Sequence, residues 1–481
     1  MVAGETVAAM VAAHRAGASV EATVARAYAR VRAHNDPAIF ITLREEADAM
    51  TEAKALAGKR GADRAVAELP LYGVPVAIKD NIDVAGLPTT AACPAFAYVP
   101  EKDATCVARL KRAGAIVIGK TNLDQFATGL EGVRTPYGIP RNLFDKALIP
   151  GGSSAGSAVA IAAGLVPLAL GTDTAGSGRV PAALSNTVGL KPSLGLVSNA
   201  GVVPACRTLD CVSVHALTVE DAFAALAAIA GPDPADPYSR KHRLSALGAV
   251  PSGVRVGAPR PEQRLFFGDA ASAAAYDDAL ARLARLGARI VIFDMAPFFE
   301  AARLLYDGPW VAERYLAARA VIEKAPQEMH PVTRQILLAG AKFSAADAFA
   351  AFYRLEELRR VCAAAFRAID MMALPTVPTV HTVEQARADP IALNSRLGTY
   401  TNFVNLLDLC ALAVPASLRA DGTPFGVTLV APAGEDAGLA ALGRAFHAEA
   451  VLPLGATGQP HPAFAPASKP VMMRRRRVTP S

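Results

Sequence analysis

Hydrophobic and polar positions change rhythm along this chain, and each change predicts a different element. Residues 4–34 are Ala-rich with helical spacing, broken once at Gly17-Ala18-Ser19, which predicts two short leading helices of the kind that pack on a partner or brace the core. A third helix is predicted over Leu43 to Leu56, followed by a polar loop from Gly58 to Glu68. Val74 to Ile78 is a short apolar run, β-branched in part and bounded by turn residues, and reads as a buried strand. Residues 105–118 read as a helix followed by the strand Ala115-Ile116-Val117-Ile118. Leu168-Ala169-Leu170 reads as another short strand, and Arg179 to Leu184, with Pro181 in its first turn, as the start of a helix.

The stretch from Gly151 to Lys191 stands apart. Two small-residue clusters, Gly151-Gly152-Ser153-Ser154 and Thr174-Ala175-Gly176-Ser177, flank an apolar segment with almost no charge. Glycines let a backbone approach a ligand closely and turn several N–H groups toward one point, and serines at the rims of such loops are candidate nucleophiles. Gly/Ser clusters are also ordinary loops. The second cluster lies between a predicted strand and a predicted helix. Such a turn aims the N–H groups of Thr174, Ala175, Gly176 and Ser177 into one concavity, which is how an oxyanion hole is built. Asp173 and Arg179 stand at its two ends, either holding it in shape or as surface charges.

Lys79 ends the strand predicted at Val74 to Ile78. Lysines are almost never buried without a partner. Lys79 is either a surface lysine whose stem snorkels or a desolvated amine whose pKa falls toward neutrality, making it a usable base. Two familiar spellings compete for attention. Gly114 to Thr121 matches G-x-x-x-x-G-K-T, but its four variable positions make the best strand of the region, so it is no phosphate loop. Gly152 to Gly156 spells G-x-S-x-G, the hydrolase nucleophile elbow, with Ser154 as nucleophile and His215, His330 or His381 downstream. That reading leaves Lys79 and the second cluster without a role, but spelling alone does not exclude it.

Composition narrows the class. With 52% hydrophobic and 19% charged residues over 481 positions, the chain has a well-buried core, and a single large α/β unit of this length is possible beside the usual three-domain expectation. No purely apolar run reaches 18 residues, so no membrane span is expected. The first residues carry Glu5 and lack a basic leader region, which points to the cytoplasm. Net charge is +6, of which Arg474 to Arg477 supply four, so the basic balance is weak evidence for a nucleic-acid partner and none is expected. The six cysteines form no C-x-x-C pair and read as reduced, mostly buried thiols. The eight histidines form no H-E-x-x-H, so no metal site is expected.

From about Leu71 to about Pro432 the chain resembles the amidase signature family of serine hydrolases. The resemblance rests on LYGVPVAIKDNID, GAIVIGKTNLDQFATG, PGGSSAGSAVAIAAGL, GTDTAGSGRVPAALSNTVGLKPS, DMMALPTVP and NLLDLCALAVPASLRADGTPFGVTLVAP. It implies an α/β fold in which one large mixed sheet is covered by helices on both faces, spanning residues 1–455 with helices of 1–35 packed on it. Residues 456–481 would then be a Pro-rich linker and a disordered basic tail. The resemblance also implies a Ser–cis-Ser–Lys triad, with Lys79 as the base, Ser153 as the bridging serine after a cis peptide bond, and Ser177 as the nucleophile. No cofactor is implied, and a homodimer is expected. Within the family the blocks resemble allophanate hydrolases most. The nucleophile loop is Ala175-Gly176-Ser177-Gly178-Arg179, and LLYDGPWVAERY places Tyr306 and Arg314 where that subgroup binds its substrate's carboxylate. An arginine fork with a tyrosine hydroxyl beside it suits a small carboxylate-bearing substrate; an amphipathic helix with a core tyrosine and an exposed arginine is the alternative. Tyr400, Thr401 and Asn402 are further candidates for lining the pocket. Members of that subgroup commonly carry a further C-terminal domain; here the amidase blocks are followed only by the Pro-rich stretch and the basic tail.

Overall fold

The structure, a computed structural model, describes residues 5–62 and 68–462. Among these, eleven strands form one mixed sheet: β1 (Phe40–Leu43), β2 (Pro75–Lys79), β3 (Ile116–Thr121), β4 (Leu168–Thr172), β5 (Val188–Lys191), β6 (Val212–Ala216), β7 (Arg255–Pro259), β8 (Arg289–Phe293), β9 (Met371–Pro375), β10 (Leu409–Leu418) and β11 (Pro424–Pro432). Their order across the sheet is β1-β3-β2-β4-β6-β5-β10-β11-β9-β7-β8. β2 runs parallel to β3 and β4, and β7 parallel to β8 and β9; the other pairs are antiparallel.

The short apolar runs of the sequence follow from burial on both faces. β2, β3 and β4 are buried along their whole length. Val76, Ile78, Val117, Leu168 and Leu170 point into one core, and Ala77, Ile116, Ile118 and Ala169 into another on the opposite face. A strand covered on both sides has no polar face to alternate with, so it reads as a continuous apolar run. Helices Thr105–Arg112, Val219–Ile229, Ala270–Arg285 and Asp436–Glu449 contribute to the first core. On the second face, helices Val20–His34, Glu46–Ala62 and Ala155–Ala162 cover the β1 end, and Ala296–Asp307 and Ala345–Ala365 cover the β9–β11 end.

Between those two cores the second face is built from small or polar residues. Gly171 of β4, Ser213 and His215 of β6 and Gly189 of β5 alternate with the apolar positions that fill the first core. A side chain at Gly171 would meet Ser154 Oγ at 2.7 Å, and one at Gly189 would meet Ala182 Cβ at 2.7 Å. The missing side chains let the starts of helices Ala155–Ala162 and Arg179–Leu184 sit directly on the sheet. Both small-residue clusters of the sequence lead into these helices, so the sheet draws them together.

The leading helices are Val7–Arg15 and Val20–His34, with Ser19 capping the second. The Asp221 carboxylate accepts the N–H groups of Val7 at 2.9 Å and Ala8 at 3.1 Å, fixing the first helix to the body. The predicted third helix is displaced. Phe40–Leu43 is instead an edge strand paired with β3, and the helix runs from Glu46 to Ala62, into the segment expected to be loop. Four half-exposed residues on a sheet edge carry too little alternation to separate from a helical start. In the expected linker after residue 455, Ala456 N–H donates to Ala162 O at 2.9 Å, and the His461 and His447 rings meet edge to face with centroids 4.5 Å apart. The expectation of disorder for the tail falls on residues 463–481, outside the described residues.

Leu412 of β10 is fully buried in the first core. Leu412→Ala is expected to lower unfolding free energy by about 3 kcal/mol in urea titrations while leaving turnover per folded molecule unchanged.

Candidate active site

Lys79 is the last residue of β2 and fully buried. Its Nζ lies 2.8 Å from Ser153 Oγ and 2.8 Å from Thr172 Oγ1. Burial pushes the amine from its ordinary value down to about 7; the carboxylates of Asp124, Asp173 and Asp210 pull the other way, and the Arg314 charge adds to the fall. Lys79 is therefore the desolvated amine and not a snorkelling one. Ser153 follows the cis peptide bond Gly152–Ser153. Ser177 joins this pair through the backbone: its carbonyl accepts the Ser154 N–H at 3.2 Å. The residue is only 2% exposed, and its hydroxyl makes no hydrogen bond among the described residues.

The turn before Ser177 is held from inside. Asp173 and Arg179 are both fully buried, so they are not surface charges. Arg179 Nε and Nη2 reach the carboxylate at 2.8 and 2.9 Å. Burial alone would raise the Asp173 pKa, but the guanidinium and the turn's N–H groups hold it below its ordinary value. Gly176 N–H donates to Asp173 Oδ1 at 2.8 Å, which corrects one expectation: this donor is turned inward, away from the oxyanion position. A carboxylate at the head of the turn captures the N–H nearest to it. The N–H groups of Thr174, Ala175 and Ser177 have no acceptor among the described residues.

Three residues that the sequence did not single out complete the turn. Thr172 Oγ1, besides Lys79, receives Asn81 Nδ2 at 3.3 Å. Asp210 accepts the Thr174 hydroxyl at 2.6 Å; burial raises its pKa to about 6 against that bond and two backbone N–H bonds. Asn405 Nδ2 donates to Asp173 O at 2.8 Å and to Leu209 O at 2.7 Å. Of the pocket candidates, Thr401 braces the turn, donating to Ala175 O at 2.7 Å. Tyr400 points elsewhere, its hydroxyl accepting Leu265 N–H at 2.6 Å. Asn402, with little exposure, sits against Gly398.

Arg314 is 1% exposed, in contrast to the alternative of an exposed arginine. Its Nη1 donates to Thr128 Oγ1 at 3.1 Å and Ala127 O at 3.3 Å, while Nε and Nη2 are buried with no hydrogen-bond acceptor. The guanidinium lies over the half-buried Tyr306 ring at 5.2 Å. A planar cation buried with two donors open is poised for a carboxylate.

The competing spellings lose their structural context. Gly119, Lys120 and Thr121 lie within β3, and Lys120 Nζ is held by Pro88 O at 3.0 Å and Thr89 Oγ1 at 2.9 Å. Ser154 Oγ donates to Thr172 O at 3.2 Å and bonds no histidine among the described residues. His215 is nearby, flanking Gly171 across from Ser154, with neither ring nitrogen bonded.

A sheet of this form, carrying a buried lysine–serine pair beside a second serine and its turn, defines an amidase. The chain belongs to the Amidase family, whose model matches residues 19–440. Among its relatives, urea amidolyase of Lachancea kluyveri is 49% identical over 401 residues, 83% of this chain and 22% of that protein. Urea amidolyase of Saccharomyces cerevisiae is 49% identical over 75% of this chain, which spans about a fifth of the length of these curated relatives. A solved structure of allophanate hydrolase from Kluyveromyces lactis superposes with a TM-score of 0.88 at 40% identity, covering 95% of this chain and 75% of that one.

Burying Lys79 uncharged ties stability to pH. The unfolded chain holds a proton on Lys79 up to about pH 10.4, whereas the fold releases it near 7, so the unfolded state binds more protons between those values and stability rises with pH. Urea titrations are expected to show wild type gaining about 2 kcal/mol relative to Lys79→Met between about pH 7.5 and about pH 9. A constant difference would mean that Lys79 is charged in the fold.

Proposed function

We propose that this chain hydrolyses allophanate, the carboxylate of urea, to ammonia and N-carboxycarbamate, which then loses carbon dioxide. The observation that carries the substrate class is Arg314, a fully buried guanidinium with Nε and Nη2 unpaired. An uncharged amide would leave those donors unsatisfied, and the penalty for burying them so would fall on the enzyme–substrate complex. The likeness to allophanate hydrolase of Kluyveromyces lactis supports the same reading.

In the proposed reaction, uncharged Lys79 accepts the Ser153 hydroxyl proton as Ser153 accepts that of Ser177. Ser177 Oγ attacks the carboxamide carbon, and the developing oxyanion is received by the N–H groups of Thr174, Ala175 and Ser177. The C–N bond breaks as the proton returns from Lys79 through Ser153 to the leaving nitrogen, releasing ammonia. The acyl group, still bearing its carboxylate on Arg314 and Tyr306, stays on Ser177. Water then attacks the ester carbon, giving its proton to the same relay, and Ser177 leaves as the hydroxyl.

Arg314→Lys keeps the charge but loses the fork. It is expected to raise KM for allophanate at least about tenfold in an ammonia-release assay, with little change for an uncharged amide such as propionamide. Equal effects on both would remove the anchor. With wild type, kcat/KM for allophanate is expected to rise with pH and level off above an apparent pKa of about 7, as Lys79 loses its proton. Ser177→Ala and Lys79→Ala are each expected to abolish ammonia release with folding intact.

A further inference from the structure

The loop 205–210 is bonded both to the turn at Thr174 and to the helix that carries Arg314. On one side Asp210 receives the Thr174 hydroxyl at 2.6 Å, and Asn405 Nδ2 bridges Leu209 O to Asp173 O. On the other side Thr208 donates its N–H to Glu313 Oε2 at 2.9 Å and its hydroxyl to Glu313 Oε1 at 2.5 Å. Glu313 immediately precedes Arg314 on the helix Trp310–Lys324. Cys206 Sγ adds a contact to Trp310 O at 3.5 Å on the same helix. The loop itself is stiffened from within, since Asp210 also collects Ala205 N–H at 2.8 Å and Cys206 N–H at 3.0 Å.

We propose that Thr208 and Glu313 are positioning residues that fix the distance between Arg314 and the turn at Thr174, and so select substrates by the spacing of carboxylate and scissile amide. This deepens the carboxylate-anchor reading and rests on it. The two groups a substrate must span come from elements far apart in sequence, and a fixed link of six residues holds them in register. A substrate of the right length reaches the donors of Thr174, Ala175 and Ser177 only if Arg314 is held at the matching place. Misplacing a bound substrate by about 1 Å can lower the chemical step by about a hundredfold. An amide without a carboxylate does not use Arg314 and is indifferent to that spacing.

The test uses the full chain and compares wild type, Thr208→Val, Thr208→Ser and Glu313→Gln on allophanate, malonamate, succinamate and propionamide. Malonamate has the spacing of allophanate, and succinamate is one methylene longer. Thr208→Val is expected to lower kcat for allophanate and malonamate about tenfold, to narrow the preference for malonamate over succinamate, and to leave propionamide turnover unchanged. Glu313→Gln is expected to act in the same direction, and Thr208→Ser to restore wild-type behaviour. Equal losses on propionamide and allophanate would overturn the proposal, as general loosening acts on every substrate; so would unchanged malonamate-to-succinamate selectivity. Wild type that does not favour carboxylated amides over propionamide would overturn the anchor reading itself, an outcome visible before any variant is measured.

Discussion

A buried amine whose pKa falls to about 7 is the constraint on which this structure is built. Holding Lys79 at about 7 instead of its ordinary value opposes folding by about 4 kcal/mol at pH 7. Three carboxylates lie near enough to return the proton, and each is already committed. Asp173 is paired with Arg179, Asp124 accepts the N–H groups of Gly132 and Arg134, and Asp210 accepts the Thr174 hydroxyl and two N–H groups. None forms an ion pair with Lys79 among the described residues, so desolvation prevails over attraction. A free carboxylate at any of these places would convert the base into an inert ammonium.

The same carboxylates build the site around the amine. Asp173 winds the turn before Ser177, Asp210 ties that turn to the loop beside Arg314, and Asp124 anchors the segment leading to Ser153, with its own N–H donating to Ser153 O at 3.2 Å. Small residues at Gly171 and Gly189 let two helix starts rest on the sheet, and Ser153, just before the first of them, reaches Lys79. Charge placement and close packing are thus one problem here, solved in the middle of the sheet where both faces exclude water.

Much of this was legible in the chain. Val74 to Ile78 announced a buried strand, and Lys79 at its end was legible as either a surface or a buried amine; the structure decides because β2 lies between β3 and β4. The two Gly/Ser clusters marked the turns, and the Asp173–Arg179 pair was visible as opposite charges flanking one of them. The inward bond of Gly176 N–H was not legible, because it depends on which way one carboxylate leans. Thr172, Asp210 and Asn405 escaped for a similar reason: a threonine ending a strand and polar residues 36 and 232 positions from their hydrogen-bond partners carry no local pattern. The edge strand Phe40–Leu43 was missed because four half-exposed residues resemble a helix start as much as a strand.

The central claim is that Ser177 is the nucleophile and that Lys79 activates it. Labelling with an alkyl fluorophosphonate, followed by peptide mapping in a mass spectrometer, tests both parts at once. The account predicts one adduct, on Ser177, formed faster as pH rises through about 7 and lost in Lys79→Ala. An adduct on Ser154, or labelling of Ser177 that is unchanged by Lys79→Ala, would contradict it.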